Sequence, residues 1–349
     1  MKQIIALSLL FSVASLAAER KAKNVVLFVG DAAGIGVLNI AAIQAGKPQS
    51  LFIQRMPQIG LMDTSAATSW VTDSAAGMTA IITGEKTHSG VLSQSVKAVR
   101  GKSDGAPLKT LLEHAEERGL VTGVISNDAV SGATPAACYA HSNDRGKAAE
   151  IFAQVLKPSF GDGVDVLIGA GRKKLLTPEM ESGLRAKNYG VYENAEAIPP
   201  DGKRAVVLYE AGDFDLAAAV RRTIDVLSRS KKGFFLMVES DLHTDNLQRG
   251  ITRTLAFDKI VEETATRLNK DTLVIFTADH SFDTRLRGGR PGEALPMVTP
   301  TPAKSAIRVD DGHTGEEVLV AAQGPGSRRV HGYIRNTDLF RIMLAAYGW

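Results

Sequence analysis

Asn24-Val25-Val26-Leu27-Phe28-Val29-Gly30-Asp31 is an apolar run with no polar alternation, and it closes on a glycine and an acid. A strand that is apolar at successive positions is buried on both faces, as happens in a parallel sheet covered by helices. Two further runs have the same form. Phe234-Phe235-Leu236-Met237-Val238 leads into Glu239, and Thr272-Leu273-Val274-Ile275-Phe276-Thr277-Ala278 leads into Asp279 and His280. Shorter strands are expected at 119–126, 164–169, 204–208 and 317–322, with helical patterns around 108–118, 213–228, 251–268 and 337–347. Strands alternating with helices predict an α/β fold with a mostly parallel central sheet and helices on both faces. The chain shows neither an internal repeat nor a low-complexity linker, so 18–349 is expected to form a single catalytic domain. Residues 285–302, rich in Pro and Gly and without a period, are expected to be a surface loop near the site.

In open α/β sheets ligands collect outside the carboxyl ends of the strands. Three strands delivering Asp31, Glu239 and the pair Asp279-His280 to that edge predict a metal site. One such acid alone would be read as a helix N-cap. A nucleophile is offered by Val71-Thr72-Asp73-Ser74-Ala75-Ala76-Gly77, which precedes an apolar stretch. Ser74 stands where a helix begins, at the positive end of its dipole, where anions bind. Serine is also a common cap, so its position alone does not make it catalytic. It lies outside a Gly-x-Ser-x-Gly elbow, which argues against an α/β-hydrolase triad. The glycines from Gly30 to Gly36 and Gly101-Lys102-Ser103 lack phosphate-loop spacing, which argues against an NTPase.

With 44% hydrophobic and 23% charged residues, the 349-residue chain has ample apolar surface for a core. Its net charge of +3 is spread among acids, and it has no basic tract to suggest nucleic-acid binding. Lys2, the apolar run 4–14 and the small residues Ser15 and Ala17 predict an export signal over 1–17, too short to be a comfortable membrane anchor. Cys138 is the only cysteine, so the chain has neither an intrachain disulfide nor a lipobox. A periplasmic or secreted protein without a membrane anchor is expected.

Several segments together resemble the alkaline phosphatase family. Thr72-Asp73-Ser74-Ala75-Ala76 is similar to its serine motif, and Thr83-Gly84-Glu85-Lys86-Thr87 follows in the family manner. Gly30-Asp31, Ala133-Thr134-Pro135-Ala136-Ala137, Thr277-Ala278-Asp279-His280 and Gly312-His313-Thr314-Gly315-Glu316 resemble its metal-binding segments. Gly324-Pro325-Gly326 follows in family order, so the likeness runs from about residue 23 to the C-terminus. The resemblance implies hydrolysis of phosphate monoesters through a phosphoserine on Ser74, with Arg145 gripping the phosphate. It implies two zinc ions, one held by Asp31, Asp279 and His280 and keeping Ser74 deprotonated. It also implies a magnesium ion held by Asp31, Thr134 and Glu239, and a homodimer follows from the resemblance alone.

The segment 239–246 departs from the family pattern. Counting from Glu239 and back from Phe257-Asp258 places the zinc histidine at His243 in a loop shortened by about five residues. Asp241 is then its expected partner with His313 on the other zinc, and Asp245 is the competitor. Gly132 stands where family members carry Asp or His beside the third ion. His88, His114 and His331 are expected to be surface or packing residues, and His141 to orient the segment leading to Arg145. A phosphodiesterase or sulfatase of the same superfamily is the alternative, but Ser74 lacks a sulfatase setting, and Arg145, Thr134 and Glu239 favour monoesters. A phosphate- or metal-binding protein without turnover is the remaining class.

Overall fold

Every side chain from Val25 to Val29 is buried, so the opening apolar run becomes the centre of the molecule. The computed structural model describes residues 20–202, 204–268 and 270–349, the side chain of Asp311 excepted. The export signal expected at 1–17 lies outside them. The strands are β1 (Asn24–Asp31), β2 (Gln58–Asp63), β3 (Val121–Ala129), β4 (Val166–Ala170), β5 (Gly190–Tyr192), β6 (Ala205–Tyr209), β7 (Phe234–Asp241), β8 (Thr272–Thr277), β9 (Ser281–Leu286), β10 (Ile307–Thr314), β11 (Val318–Gln323) and β12 (Gly332–Arg335). Ten of them form one sheet in the order β12-β2-β11-β8-β1-β7-β3-β4-β6-β5. Within it β11 alone runs antiparallel to its neighbours, β2 and β8. β9 and β10 pair separately as an antiparallel ribbon, joined by residues 287–306. The α/β fold with a mostly parallel, helix-covered sheet is therefore as expected, and the 285–302 segment divides between the end of β9 and that connection.

The register places the chemistry. Asp31 pairs with Asp241, and Val29 pairs with both Glu239 and Thr277. On the far side of β7, Ser126 pairs with Glu239. Side chains two apart on a strand share a face, so β7 presents Glu239 and Asp241 together. β7 runs on through Asp241, where the apolar pattern alone predicted an end at Val238.

Glycines bring the covering elements close. A Cβ at Gly77, in the Ser74–Thr83 helix, would lie 2.5 Å from the Asp279 carbonyl oxygen. One at Gly36 would lie 1.8 Å from the Thr284 carbonyl oxygen, so the Ile35–Gln44 helix lies directly on β9. The glycines near Asp31 therefore serve packing rather than a phosphate loop.

Candidate active site

Asp73, not Ser74, caps the Ser74–Thr83 helix. Its Oδ1 accepts from the Ala76 amide at 3.1 Å, leaving Ser74 as the first helical residue with its hydroxyl free to face the sheet. Ser74 Oγ lies 3.4 Å from Asp31 Oδ2 and 3.2 Å from His280 Nε2. The Ser74 and Ala75 amides at the helix start have no intrahelical acceptor, so an anion placed there meets N–H groups and the helix dipole together.

His280 is completely buried, and its Nδ1 faces the Ser281 carbonyl oxygen at 3.1 Å. That contact turns Nε2 toward Asp31 Oδ1 at 3.1 Å and Asp279 Oδ2 at 3.7 Å. Burial opposes its protonation, but the neighbouring carboxylates of Asp279 and Asp31 outweigh it and raise its pKa. Asp31 responds the other way. Burial pushes its carboxyl up, and His280 together with the charges of His243 and Arg145 more than reverses the push. His313 stacks on His280 with ring centroids 3.7 Å apart and anchors its Nδ1 on the Thr72 carbonyl oxygen at 2.9 Å. His243 Nδ1 lies 2.9 Å from Asp241 Oδ1 and 3.8 Å from Asp31 Oδ1.

Two sets of side chains bring their donor atoms within 4.8 Å of one another: Asp31, Asp279 and His280, and His243, His280 and His313. Asp241 joins neither set. Its Oδ1 faces His243, and its Oδ2 accepts from Arg253 Nη1 at 2.6 Å. Asp245 is turned away, exposed and paired with Arg249 at 3.0 Å. Glu239 is buried with its Oε2 in a short hydrogen bond from Ser126 Oγ. Burial and the nearby charge of Asp31 push its carboxyl well up. Thr134, also buried, directs its hydroxyl to Asp279 Oδ2 at 3.3 Å.

This donor set fits cations. Asp31 Oδ1 is buried without a hydrogen-bond donor of its own, with His280 Nε2 at 3.1 Å and His243 Nδ1 at 3.8 Å. An orphaned buried carboxylate oxygen is costly unless a cation meets it. Imidazole nitrogens mixed with carboxylates suit zinc, and the oxygens of Asp31, Thr134 and Glu239 suit a harder ion.

Arg145 reaches the same edge with its side chain about one-third exposed. Its Nη1 donates to Asp73 Oδ2 at 3.1 Å, and its amide donates to the Gly90 carbonyl oxygen at 2.8 Å. Four residues earlier, His141 is buried between Glu113 Oε1 at 2.9 Å and the Ser93 carbonyl oxygen at 2.7 Å, which fixes the start of this segment. His88 faces Thr68 and the Val96 carbonyl oxygen, and His114 faces Arg118. Reading the sequence missed Asp73, Arg253 and the Ser126–Asn127 pair. Only Asp73 carried a signal, since an acid just before a helix start is a capping candidate.

A family model described as alkaline phosphatase matches residues 22–196 and 209–310. The streptomycin-6-phosphate phosphatase of Streptomyces griseus is 29% identical, covering 96% of this chain and 93% of that protein. The alkaline phosphatase of Escherichia coli K12 is 27% identical, covering 95% and 87%. The crystal structure of the Thermus thermophilus alkaline phosphatase superposes with a TM-score of 0.79 at 22% identity, over 98% of this chain and 96% of that one. A cold-active alkaline phosphatase from Shewanella gives 0.80 at 22% identity, over 93% and 100%. At these identities the solved structures speak for the fold.

Proposed function

Because this chain belongs to the alkaline phosphatase family, and so is a phosphomonoester hydrolase, we propose that it works through a phosphoserine formed on Ser74, at a site for two zinc ions and one magnesium ion. The observation that carries this reading is the convergence of Ser74 Oγ, Asp31 and His280 at a helix N-terminus. Asp31, Asp279 and His280 are the residues for one zinc ion, and Asp241, His243 and His313 for the other. Asp31, Thr134 and Glu239 are those for magnesium. When bound, paired zinc ions supply Lewis-acid stabilisation to the attacking and leaving oxygens.

The chain's own residues position the substrate. Arg145 presents a planar fork to two non-bridging phosphate oxygens, with one nitrogen already braced on Asp73. The amides at the start of the Ser74–Thr83 helix face the same anion. Ser74, only 3% exposed, sets its Oγ 3.4 Å from Asp31 Oδ2 and 3.2 Å from His280 Nε2, beside the residues that would hold the zinc ion and keep it deprotonated for attack. Attack forms the Ser74 Oγ–P bond and breaks the bond from phosphorus to the leaving oxygen. Water then cleaves the phosphoserine and releases phosphate. Uncatalysed monoester hydrolysis is so slow that binding alone does not account for turnover, so positioning and charge stabilisation must act together.

Among the described residues no helix is long and apolar enough to cross a membrane. The charged and apolar start of the sequence supports an exported enzyme, periplasmic or secreted, and the family supports small phosphate monoesters as substrates and a homodimer. The test is turnover of a chromogenic monoester against the matching diester, with acid quench and mass spectrometry in the presence of inorganic phosphate. A phosphate adduct on Ser74 with preference for the monoester is expected. An adduct on another residue, or preference for the diester, overturns the reading.

A further inference from the structure

Arg145 has a neighbour of its own kind, placed by the same few contacts. Residues 99–103 form a tight turn, in which Val99 and Ser103 exchange amide-to-carbonyl hydrogen bonds of 2.9 and 3.0 Å. Gly101 at its tip adopts φ +68° and donates its amide to the Asn143 carbonyl oxygen at 3.3 Å, which docks the turn two residues before Arg145. From this turn Arg100 Nε donates to Asp144 Oδ1 at 3.2 Å, and the same oxygen accepts from the Gly146 amide at 3.0 Å.

Gly90 brings the two guanidinium groups together. Its amide donates to Asp73 Oδ2 at 2.9 Å, the oxygen that also accepts from Arg145 Nη1, and its carbonyl oxygen accepts from the Arg145 amide. A Cβ at Gly90 would lie 2.4 Å from Arg100 Nε and 2.5 Å from its Cζ. With φ at +80° as well, the position requires glycine on both counts. The Arg100 guanidinium therefore lies against the Gly90 backbone, and the bonds and contacts joining them put its Nε within about 8 Å of Asp73 Oδ2.

Two like charges held this close repel unless acids or a bound anion lie among them. Asp73 braces Arg145, and Asp144 braces Arg100 through Nε, leaving the two terminal nitrogens of Arg100 without a protein acceptor among the described residues. The Arg100 side chain is 54% exposed against 34% for Arg145, so it is the more solvent-facing of the two. In phosphoryl transfer the leaving oxygen departs roughly in line with the attacking one. With Ser74 buried at the helix start, the leaving group points outward, to the rim where Arg100 stands.

We propose that Arg100 binds a second anionic group on the leaving alcohol, a phosphate or a carboxylate, and so favours doubly anionic monoesters such as bisphosphates. This rests on the role of Arg145 in the monoester reading given above. A guanidinium fork takes either oxyanion through two N–H bonds. The contact is charge-assisted but half exposed, so its worth is about tenfold in kcat/KM.

The test measures phosphate release by the zinc- and magnesium-loaded full chain on two substrate pairs: fructose bisphosphate against fructose monophosphate, and free O-phosphoserine against phosphoethanolamine. Arg100→Gln should lower kcat/KM about tenfold more for the doubly anionic member of a pair than for its companion, mainly through KM. Arg100→Lys, which keeps the charge without the fork, should keep part of that difference. A loss confined to the bisphosphate identifies phosphate as the second group, and one confined to O-phosphoserine identifies carboxylate. Lys102→Gln, on the same turn, should shift neither ratio. The inference is overturned if Arg100→Gln lowers both members of each pair equally, since Arg100 would then only brace the segment carrying Arg145. It is also overturned if Lys102→Gln shifts the ratios as much, the mark of diffuse charge. A parent enzyme that hydrolyses none of the four, or forms no adduct on Ser74, strikes the monoester reading itself and this inference with it.

Discussion

Arg145 Nη1 donates to Asp73 Oδ2 at 3.1 Å, while the other oxygen of that carboxylate caps the helix carrying Ser74. One side chain thus ties the anion-gripping guanidinium to the nucleophile's helix, and the Gly90 amide adds a third tie at 2.9 Å. Asp73→Asn keeps an oxygen for the cap but puts an amide donor where Arg145 and Gly90 need an acceptor. Inhibition by inorganic phosphate should weaken by about tenfold, the worth of roughly 1.4 kcal/mol. Asp73→Ala should lose the cap as well, for a further cost of about 1 kcal/mol in stability. Phosphate inhibition constants and urea midpoints for the pair separate the two roles. Unchanged inhibition in Asp73→Asn would mean that the contact does not aim Arg145.

Arg145→Ala should slow monoester turnover and weaken phosphate inhibition, because two charge-assisted hydrogen bonds are lost. Diester hydrolysis should suffer less, a diester having fewer free anionic oxygens for the fork. The ratio of the two kcat/KM values is the measurement. Equal losses on both substrates would make Arg145 a structural residue.

The strands that deliver Asp31, Glu239, Asp279 and His280 were legible because buried parallel strands read as uninterrupted apolar runs. Other elements carry no such mark. The Ile35–Gln44 and Ala133–Tyr139 helices are apolar around most of their circumference, so they show no helical period. β2 is a half-exposed strand near the sheet edge, β5 has three residues, and β9 and β10 pair across a twenty-residue connection. Within the site, the pairing of Arg145 with Asp73 spans 72 positions and that of Arg253 with Asp241 spans 12. Such contacts are properties of the packed sheet edge and not of any local pattern.

Stability should fall as pH rises through neutrality, on account of a carboxylate far from the chemistry. Glu116 is buried, which raises its pKa to about 8, even though the Gly163 amide and Thr122 hydroxyl both donate to it. A folded pKa above the unfolded one means that the native state holds the proton more tightly. The contribution is therefore complete below about pH 4.5 and declines until about pH 8. Asp165, which burial raises to about 7, adds to the same trend. Glu116→Gln should flatten the decline between those limits by on the order of 1–3 kcal/mol. Urea midpoints of parent and variant from pH 5 to 9 test this. Parallel curves would show that Glu116 ionises as it does in the unfolded chain.

Chelation should abolish turnover, zinc should restore most of it, and magnesium should add a further increment. The first two follow from the imidazole and carboxylate donors gathered around Asp31, and the third from the all-oxygen set of Asp31, Thr134 and Glu239. Activity and metal content are followed together through removal and return. Full activity in a metal-free preparation would contradict the proposed mechanism.

The shortened segment after β7 gives the most specific expectation. Asp241 ends that strand directly opposite Asp31, and His243 follows with its ring 5.8 Å from that of His313. Asp241 and Asp245 would share a face only on a helix, but Asp241 lies in a strand and the Leu247–Arg267 helix begins after Asp245. Asp245 also spends its carboxylate on Arg249, one helical turn on. His243→Ala should therefore cost about one zinc ion per chain at limiting metal, whereas Asp245→Asn should leave the stoichiometry intact. Asp241→Asn should fall on the side of His243→Ala, because the same carboxylate faces His243 and is held at the edge by Arg253. Zinc per chain, measured by mass spectrometry after exhaustive dialysis, decides it. Loss of zinc in Asp245→Asn with retention in His243→Ala would move the ligand set two residues along the loop. Retention in Asp241→Asn alone would leave Asp241 as the residue that orients His243 and take it out of the ligand set.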